Sequence, residues 1–273
     1  MLTRESDDDY FQATVRLPAA SGHQTIPSKA STRACQCRSG ASEVQNESNV
    51  TVDEAIAGRY SCRAFLPTPV PKETVSEILS LAARAPSGIN MQPWKVWVLT
   101  GDSMRRLSDR IVAVFDDPEE AAMHTDPYQY YPGKWLSPYI ERRRKVGLDL
   151  YRLVGIQKGD AKRMHEQHAR NYRFFDAPVG LIFTIDSVLG QGSWIDYGMF
   201  LQNIMLAAKG RGLDTCPQAA FIQFHRLISE ELLIPEDQTV VCGMAMGFAD
   251  PDAPENTLRT ERAELGEWVR FRD

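Results

Sequence analysis

RYSCRAFLPTPVPKETVSEILSLAARAPSGINMQPWKVWVLTG, residues 59–101, decides the reading of this chain. Arg59 and Arg63 bracket Ser61. Two guanidinium groups and a hydroxyl in this spacing suit a phosphate monoester, which they meet through charge-assisted hydrogen bonds. Pro71 then opens a helix that carries Val75, Ile78, Leu79 and Ala82 on one side. After it comes Pro86-Ser87-Gly88-Ile89-Asn90-Met91-Gln92-Pro93-Trp94, a turn whose backbone and amide groups are open to grip a planar ring with a polar edge. Residues 94–100, WKVWVLT, read as an apolar strand.

Of the 273 residues 43% are hydrophobic and 25% charged, which suits one large domain with a sizeable core plus appendages. A net charge of −5 gives no basis for binding nucleic acid. The basic run Glu141-Arg142-Arg143-Arg144-Lys145 is a local exception. It reads first as a solvated helix face and second as a docking point for an anionic cofactor. No apolar run approaches the roughly 20 residues that span a bilayer, so no membrane partner is expected. The cysteines, Cys35, Cys37, Cys62, Cys216 and Cys242, are odd in number and make no disulfide framework. They point to a reducing compartment, and the chain is read as cytoplasmic.

Residues 1–50 are rich in Ser, Thr, Gln and Asp without apolar periodicity, and are expected to form a disordered N-terminal extension. Asp7-Asp8-Asp9 argues against a transit peptide, and there is no apolar core for a secretory signal. Residues 51–273 are the expected folded domain, opened by a capping box of Thr51 and Glu54. Asp102 is expected to cap a helix running to Phe115. Residues 116–172 read as an insertion: a loop rich in prolines and aromatics, a helix from Pro138 to about Ile156, and a second helix capped by Asp160. Tyr128, Tyr130, Tyr131 and Trp135 in its loop suit a lid that stacks on a flat acceptor.

Residues 178–186, PVGLIFTID, form a continuous apolar strand. Residues 193–210, SWIDYGMFLQNIMLAAKG, form a helix apolar over most of its circumference, which must be buried on nearly all sides in a core or a subunit interface. A short strand near 213–216, a helix near 224–233 and a strand at 239–248 complete the domain. Few strands separated by helices give an α+β fold, with a mixed, mainly antiparallel sheet flanked by helices.

The motifs of residues 59–63 and 86–94 resemble those of the nitroreductase family of FMN-dependent oxidoreductases, and the likeness continues to the C-terminus. The resemblance implies an intertwined homodimer with two FMN sites at its interface. It implies that Arg59, Ser61 and Arg63, with Tyr60 among them, hold the FMN phosphate. Pro86, Ser87 and Gly88 then pass along the flavin from the partner subunit, Asn90 bonds its polar edge or ribityl chain, and Gln92 neighbours it. In Gly212-Leu213-Asp214-Thr215-Cys216-Pro217-Gln218-Ala219-Ala220 the resemblance assigns Cys216, Pro217 and Gln218 to the backbone beside the flavin N5 and O4. Arg262 resembles a terminal arginine that reaches back to the phosphate, with Arg259 a weaker candidate. The family more usually has proline where Glu264 stands.

No G-x-G-x-x-G follows a strand and no G-x-x-x-x-G-K-[ST] occurs, so no dedicated nucleotide domain is expected. NAD(P)H and acceptor would meet one flavin face in turn, a ping-pong scheme that reduces nitroaromatic or similar electron-poor aromatics. Relatives of the same fold offer alternatives. Reductive dehalogenases use a Glu, Tyr and Lys lid, for which Tyr128, Tyr130, Tyr131 and Lys134 show no matching pattern. Flavin-cleaving enzymes usually carry an acid where Ser61 stands. A non-enzymatic FMN-binding protein is the alternative from another class. His165, Glu166 and His168 fit no metal-site spacing, and Ser193 with Asp196 has no histidine to complete a triad. No catalytic side chain is named, because hydride transfer to a flavin needs position and electrostatics and no protein nucleophile.

Overall fold

The computed structural model describes residues 50–273; the expected N-terminal extension, with Cys35 and Cys37, lies outside them. The domain opens on the expected capping box. The Thr51 hydroxyl accepts the Glu54 amide at 3.2 Å, and the Glu54 carboxylate accepts the Thr51 amide at 2.8 Å. Helix α1 (Val52–Gly58) delivers the chain to Arg59. Helix α2 (Lys72–Ala82) buries Val75, Ile78 and Ala82. There follow β1 (Lys95–Leu99), α3 (Gly101–Phe115), α4 (Pro118–Ala121), α5 (Tyr139–Leu153), α6 (Ala161–Ala169), β2 (Val179–Asp186), α7 (Gln191–Lys209), β3 (Asp214–Gln218), α8 (His225–Leu232), β4 (Gln238–Gly247) and α9 (Leu265–Trp268). Asp102 does not cap α3. It lies inside the first turn and pairs with Arg105, so Thr100 takes the cap position.

The sheet has the order β1-β2-β4-β3, and every pairing is antiparallel. Its mixed character comes down to one parallel bridge, Ser61 to Thr215, on the outer edge of β3. Strand β2 is central and faces two cores. Val179, Leu181, Phe183 and Ile185 meet α2 and α7, while Ile182 joins residues of α3 and α8 on the other side. Burial on both faces explains why PVGLIFTID shows no alternation. A bulge opposite Phe183 and Thr184 leaves Val241 as the additional residue of β4.

Two glycines let an aromatic pair lie against this sheet. A Cβ on Gly180 would stand 2.8 Å from the Phe174 ring, and one on Gly243 would stand 2.4 Å from Phe221. Phe174 and Phe221 stack on each other at 4.6 Å. Larger residues at either glycine would push both rings off the strands.

Helix α7 is covered by its own chain on one side only. Tyr197, Phe200, Ile204 and Ala208 enter the core, but the opposite side leaves Ile195 70% and Met199 36% exposed. Within one chain the helix is half covered. Helix α5 buries no residue at all.

Candidate active site

Residues 59–63 run along the free edge of β3. The Cys62 amide donates to the Thr215 carbonyl at 3.0 Å, and the Cys62 side chain is fully buried beneath. This turns Arg59, Ser61 and Arg63 toward a cavity of about 510 Å³ that residues 258–262 close from the other side. Arg59, Arg63, Arg259 and Arg262 all line it, and no Asp or Glu does. Burial, with the Arg262 charge behind it, pulls the Arg59 guanidinium below its ordinary value. Four cations crowded around one space without an acid favour an anion there. Tyr60 forms a wall: Arg259 lies over its ring at 3.9 Å and Lys209 at 5.6 Å. The structure thus brings Arg259, the weaker candidate, into the same cluster as Arg262.

Asn256 ties the two walls together. It is buried in the short turn Pro254–Thr257. Its Oδ1 accepts the Arg63 amide at 2.8 Å, and its Nδ2 donates to the carbonyls of Ala64 at 2.8 Å and Asp250 at 2.9 Å. Its own carbonyl accepts Arg259 Nη1 at 2.8 Å. Sequence reasoning missed this residue. A lone Asn far from Arg63 in the chain carries no motif, and only the folded turn reveals it.

Strand β3 leads from this edge into the segment 216–221. Phe221, seated on Gly243, anchors that segment. Gln218 Nε2 donates to the Asn171 carbonyl at 2.7 Å, while its Oε1 is buried without a partner among the described residues. Cys216 is buried and its thiol is pushed up to about 11 by that burial, against the opposing pull of Arg63 and Ser61. A thiol held protonated in this way is packing and not a redox nucleophile.

The turn at 86–92 is built differently. Ile89, Asn90 and Gln92 all take positive φ, at 45°, 63° and 50°. The Gly88 amide donates to Asp196 Oδ2 on α7 at 3.0 Å, and the Gln92 amide donates to Ser87 Oγ at 3.0 Å. Pro86, Gly88, Asn90 and Gln92 are exposed, with Ser87 half-buried. Trp94 stays in the core, stacked on Phe200 at 4.7 Å.

The sheet register keeps the two motifs apart. Four strand spacings, about 19 Å, separate β1 from residues 59–63. Along the strands, Lys95 is level with Thr184 and Val240, whereas Thr215 is level with Met246, six residues or about 20 Å further on. The arginine-lined cavity and the turn at 86–92 of one chain stand at opposite corners of the sheet.

The Nitroreductase family model matches residues 56–248. The chain belongs to the nitroreductase family. It is 44% identical to a 4-nitrobenzoate reductase of Pseudomonas putida over 80% of this chain and 94% of that one. Identity to a nitrobenzene nitroreductase of Ectopseudomonas oleovorans is 42%, over 81% and 96%. Among solved structures, the FMN and NADPH-dependent nitroreductase NfnB of Sphigopyxis sp. strain HMH superposes with a TM-score of 0.78 at 35% identity, over 82% of this chain and 99% of that one. The FMN-dependent NfnB of Mycobacterium smegmatis, in complex with NADPH, gives 0.76 at 31%, over 81% and 97%.

Against that family frame, the aromatics of residues 116–172 divide. The Tyr128 hydroxyl donates to the carbonyl of the bulged Val241, and its ring meets Trp194 edge-on at 4.5 Å. This is an anchor. Tyr130 and Tyr131 are exposed and pack on each other at 4.7 Å, with Trp135 beyond Tyr131 at 5.6 Å. His165 pairs with Asp116 at 2.7 Å and stacks on Phe115, and His168 lies on the same ring. Among the described residues no cluster of three or more metal-ligating side chains forms. No helix there is long and apolar enough to cross a membrane.

Proposed function

We propose that this nitroreductase-family protein is an FMN-dependent oxidoreductase that uses NAD(P)H in a ping-pong cycle to reduce nitroaromatic or similar electron-poor acceptors. The single observation that carries the reading is the cavity with four guanidinium groups and no carboxylate in its wall. Its donors fit the dianionic phosphate of FMN. Arg59, Arg63 and Arg262 hold that phosphate by charge, with Ser61 adding a hydroxyl, and Asn256 fixes the backbone that presents them. Bound FMN supplies the two-electron relay between NAD(P)H and acceptor. The backbone of residues 216–220 meets the ring edge, where N–H donors favour negative charge on the reduced cofactor. Rigidly held groups at the half-buried Ser87 and the exposed Gly88 and Asn90 orient the ring and exclude water from one side.

The register supports a homodimer. The cradle and the turn of one chain lie too far apart to share one flavin, so the turn of a partner subunit completes each site. The uncovered side of α7, with Ile195 and Met199, supports the same assembly. The buried, free thiols of Cys62, Cys216 and Cys242 support a cytoplasmic setting.

The test is a visible spectrum of the purified protein, then anaerobic titration with NADPH, NADH and finally 4-nitrobenzoate. A yellow protein bleached by NAD(P)H and reoxidised by the nitroarene is expected. A colourless protein that cannot be reconstituted with FMN would overturn the reading. A bound flavin that no nicotinamide reduces would favour a storage or sensing role.

A further inference from the structure

A second cleft, of about 630 Å³, opens between α5 and residues 258–263. It adjoins the phosphate cavity, since Leu258, Arg259, Thr260 and Arg262 line both. We propose that this cleft receives the adenosine end of NADPH, with Arg143 binding the 2′-phosphate and Trp135 giving the purine a surface to stack on. The proposal rests on the FMN and NAD(P)H reading above and names the part of the site that would select NADPH over NADH.

Charge singles out Arg143. The other α5 cations that line this cleft are engaged: Arg142 lies 3.6 Å from Glu267, and Lys145 lies 2.8 Å from Asp149 and 3.5 Å from Glu261. Arg143 has no carboxylate within ion-pair distance among the described residues. Its guanidinium lies over the Trp135 ring at 4.7 Å. Stacking occupies the face of a guanidinium and leaves its edge of N–H donors open. That edge matches the paired oxygens of a phosphate monoester. Beside it, Tyr131, Trp135 and Tyr139 line the cleft with aromatic surface.

Position identifies the occupant. The cleft meets the site at the phosphate end of the flavin and not at the ring. An acceptor must stack on the ring to take electrons, so a small nitroarene lodged here could not react. NADPH differs, because a pyrophosphate and two riboses separate its nicotinamide from its adenosine. With the nicotinamide on the ring, the adenosine must lie at a distance, and here aromatic and cationic groups converge to meet it. The volume falls within the usual range for a ligand of this size. The basic run 141–145, readable from sequence as a solvated face or an anion dock, divides accordingly. Arg142 and Lys145 are neutralised at the rim, Arg144 is not in the wall of this cleft, and Arg143 is the dock.

Calorimetry on the FMN-loaded protein tests this with two probes, adenosine 2′,5′-bisphosphate and 5′-AMP, which differ in the 2′-phosphate alone. The bisphosphate is expected to bind at least about tenfold more tightly. Arg143→Ala should erase that preference, Arg143→Lys should restore part of it, and Trp135→Ala should weaken both probes alike. FMN content and melting temperature are read for each variant. Equal binding of the two probes, a preference that survives Arg143→Ala, or a loss that comes only with loss of FMN would each overturn the proposal. Flavin reduction by NADPH separates the two levels. If NADPH bleaches the wild-type flavin but the probes are not distinguished, the cleft assignment falls and the enzyme reading stands. If NADPH leaves the flavin oxidised, the enzyme reading falls first.

Discussion

Residues 59–63 and residues 87–92 meet the same ligand by the family resemblance, yet the fold treats them in opposite ways. The first segment is a strand edge locked into the core: Cys62 is 0% exposed, and Asn256 and Thr215 hold its backbone. The second is a projection. Its Ile89 is 94% exposed, and three non-glycine residues there adopt left-handed backbone. Each such residue costs of order 1–3 kcal/mol and persists only where neighbours over-determine it. Here Asp196 and Ser87 do so. The contrast teaches that the two segments are built for different work: on the proposed function, one chain completes the electrostatic half of the site and holds the shape-reading half rigid for its partner.

The strongest way to break this comparison is to remove that second surface. A charge at Ile195 or Met199, on the open side of α7, should dissociate the dimer and empty the flavin site while far-UV circular dichroism keeps its native form. The effect on FMN occupancy should be close to complete, because a monomer retains the phosphate cradle but no partner turn. Ile204 would be a poor probe, since it is wholly buried in its own chain and a charge there would unfold it. Sedimentation and the visible spectrum decide the matter. A stable, FMN-loaded monomer at micromolar concentration would show that the site is finished within one chain.

The next effect sharpens the locked half. Arg63→Ala removes one charge-assisted contact, worth roughly 1.5–3 kcal/mol, and should weaken FMN binding about ten- to a hundredfold without lowering the melting temperature of the apoprotein. Asn256→Ala should weaken FMN binding and lower that melting temperature together. It frees the Arg63 amide and the Asp250 carbonyl, at roughly 1–3 kcal/mol for a buried group, while the Ala64 carbonyl keeps the Asp250 amide as its donor. Equal thermal behaviour in the two variants would mean that Asn256 does not position the cradle.

How far the sequence could be read depended on where each interaction lies. The capping box at Thr51, the continuous strand at 179–186 and the arginines of the 59–63 segment are local, and their spacing is visible in the chain. The Arg259 and Asn256 contacts are not local. They exist because the turn at 254–257 folds back on residues 62–64, and no periodicity encodes that. The half-covered α7 lies between the two cases. Its apolar circumference is legible, but only the packed chain divides it into a side facing β2 and β4 and a side with no cover. The same limit applied to the tyrosines of the inserted segment, which look alike in sequence and separate only when one of them finds a carbonyl.

That tyrosine gives the smallest and most local effect. Tyr128 sits in the loop expected to act as a lid, but its hydroxyl caps the carbonyl of Val241 at the β4 bulge, where the ladder leaves one residue unpaired. Burial raises its pKa, so the proton stays and the hydroxyl remains a donor across the working pH range. Its ring packs on Trp194, one residue before the exposed Ile195. Tyr128 therefore belongs to the finished half of the molecule. Tyr128→Phe keeps the ring contact and removes only the hydrogen bond, at about 1 kcal/mol, which corresponds to roughly 2–4 °C in melting temperature for a domain of this size. Acceptor kcat/KM should hold, because the loop stays pinned by its ring. If instead the melting temperature holds and acceptor kinetics change severalfold, Tyr128 reads the substrate, and the boundary between the anchored and the projecting halves must be redrawn through this loop.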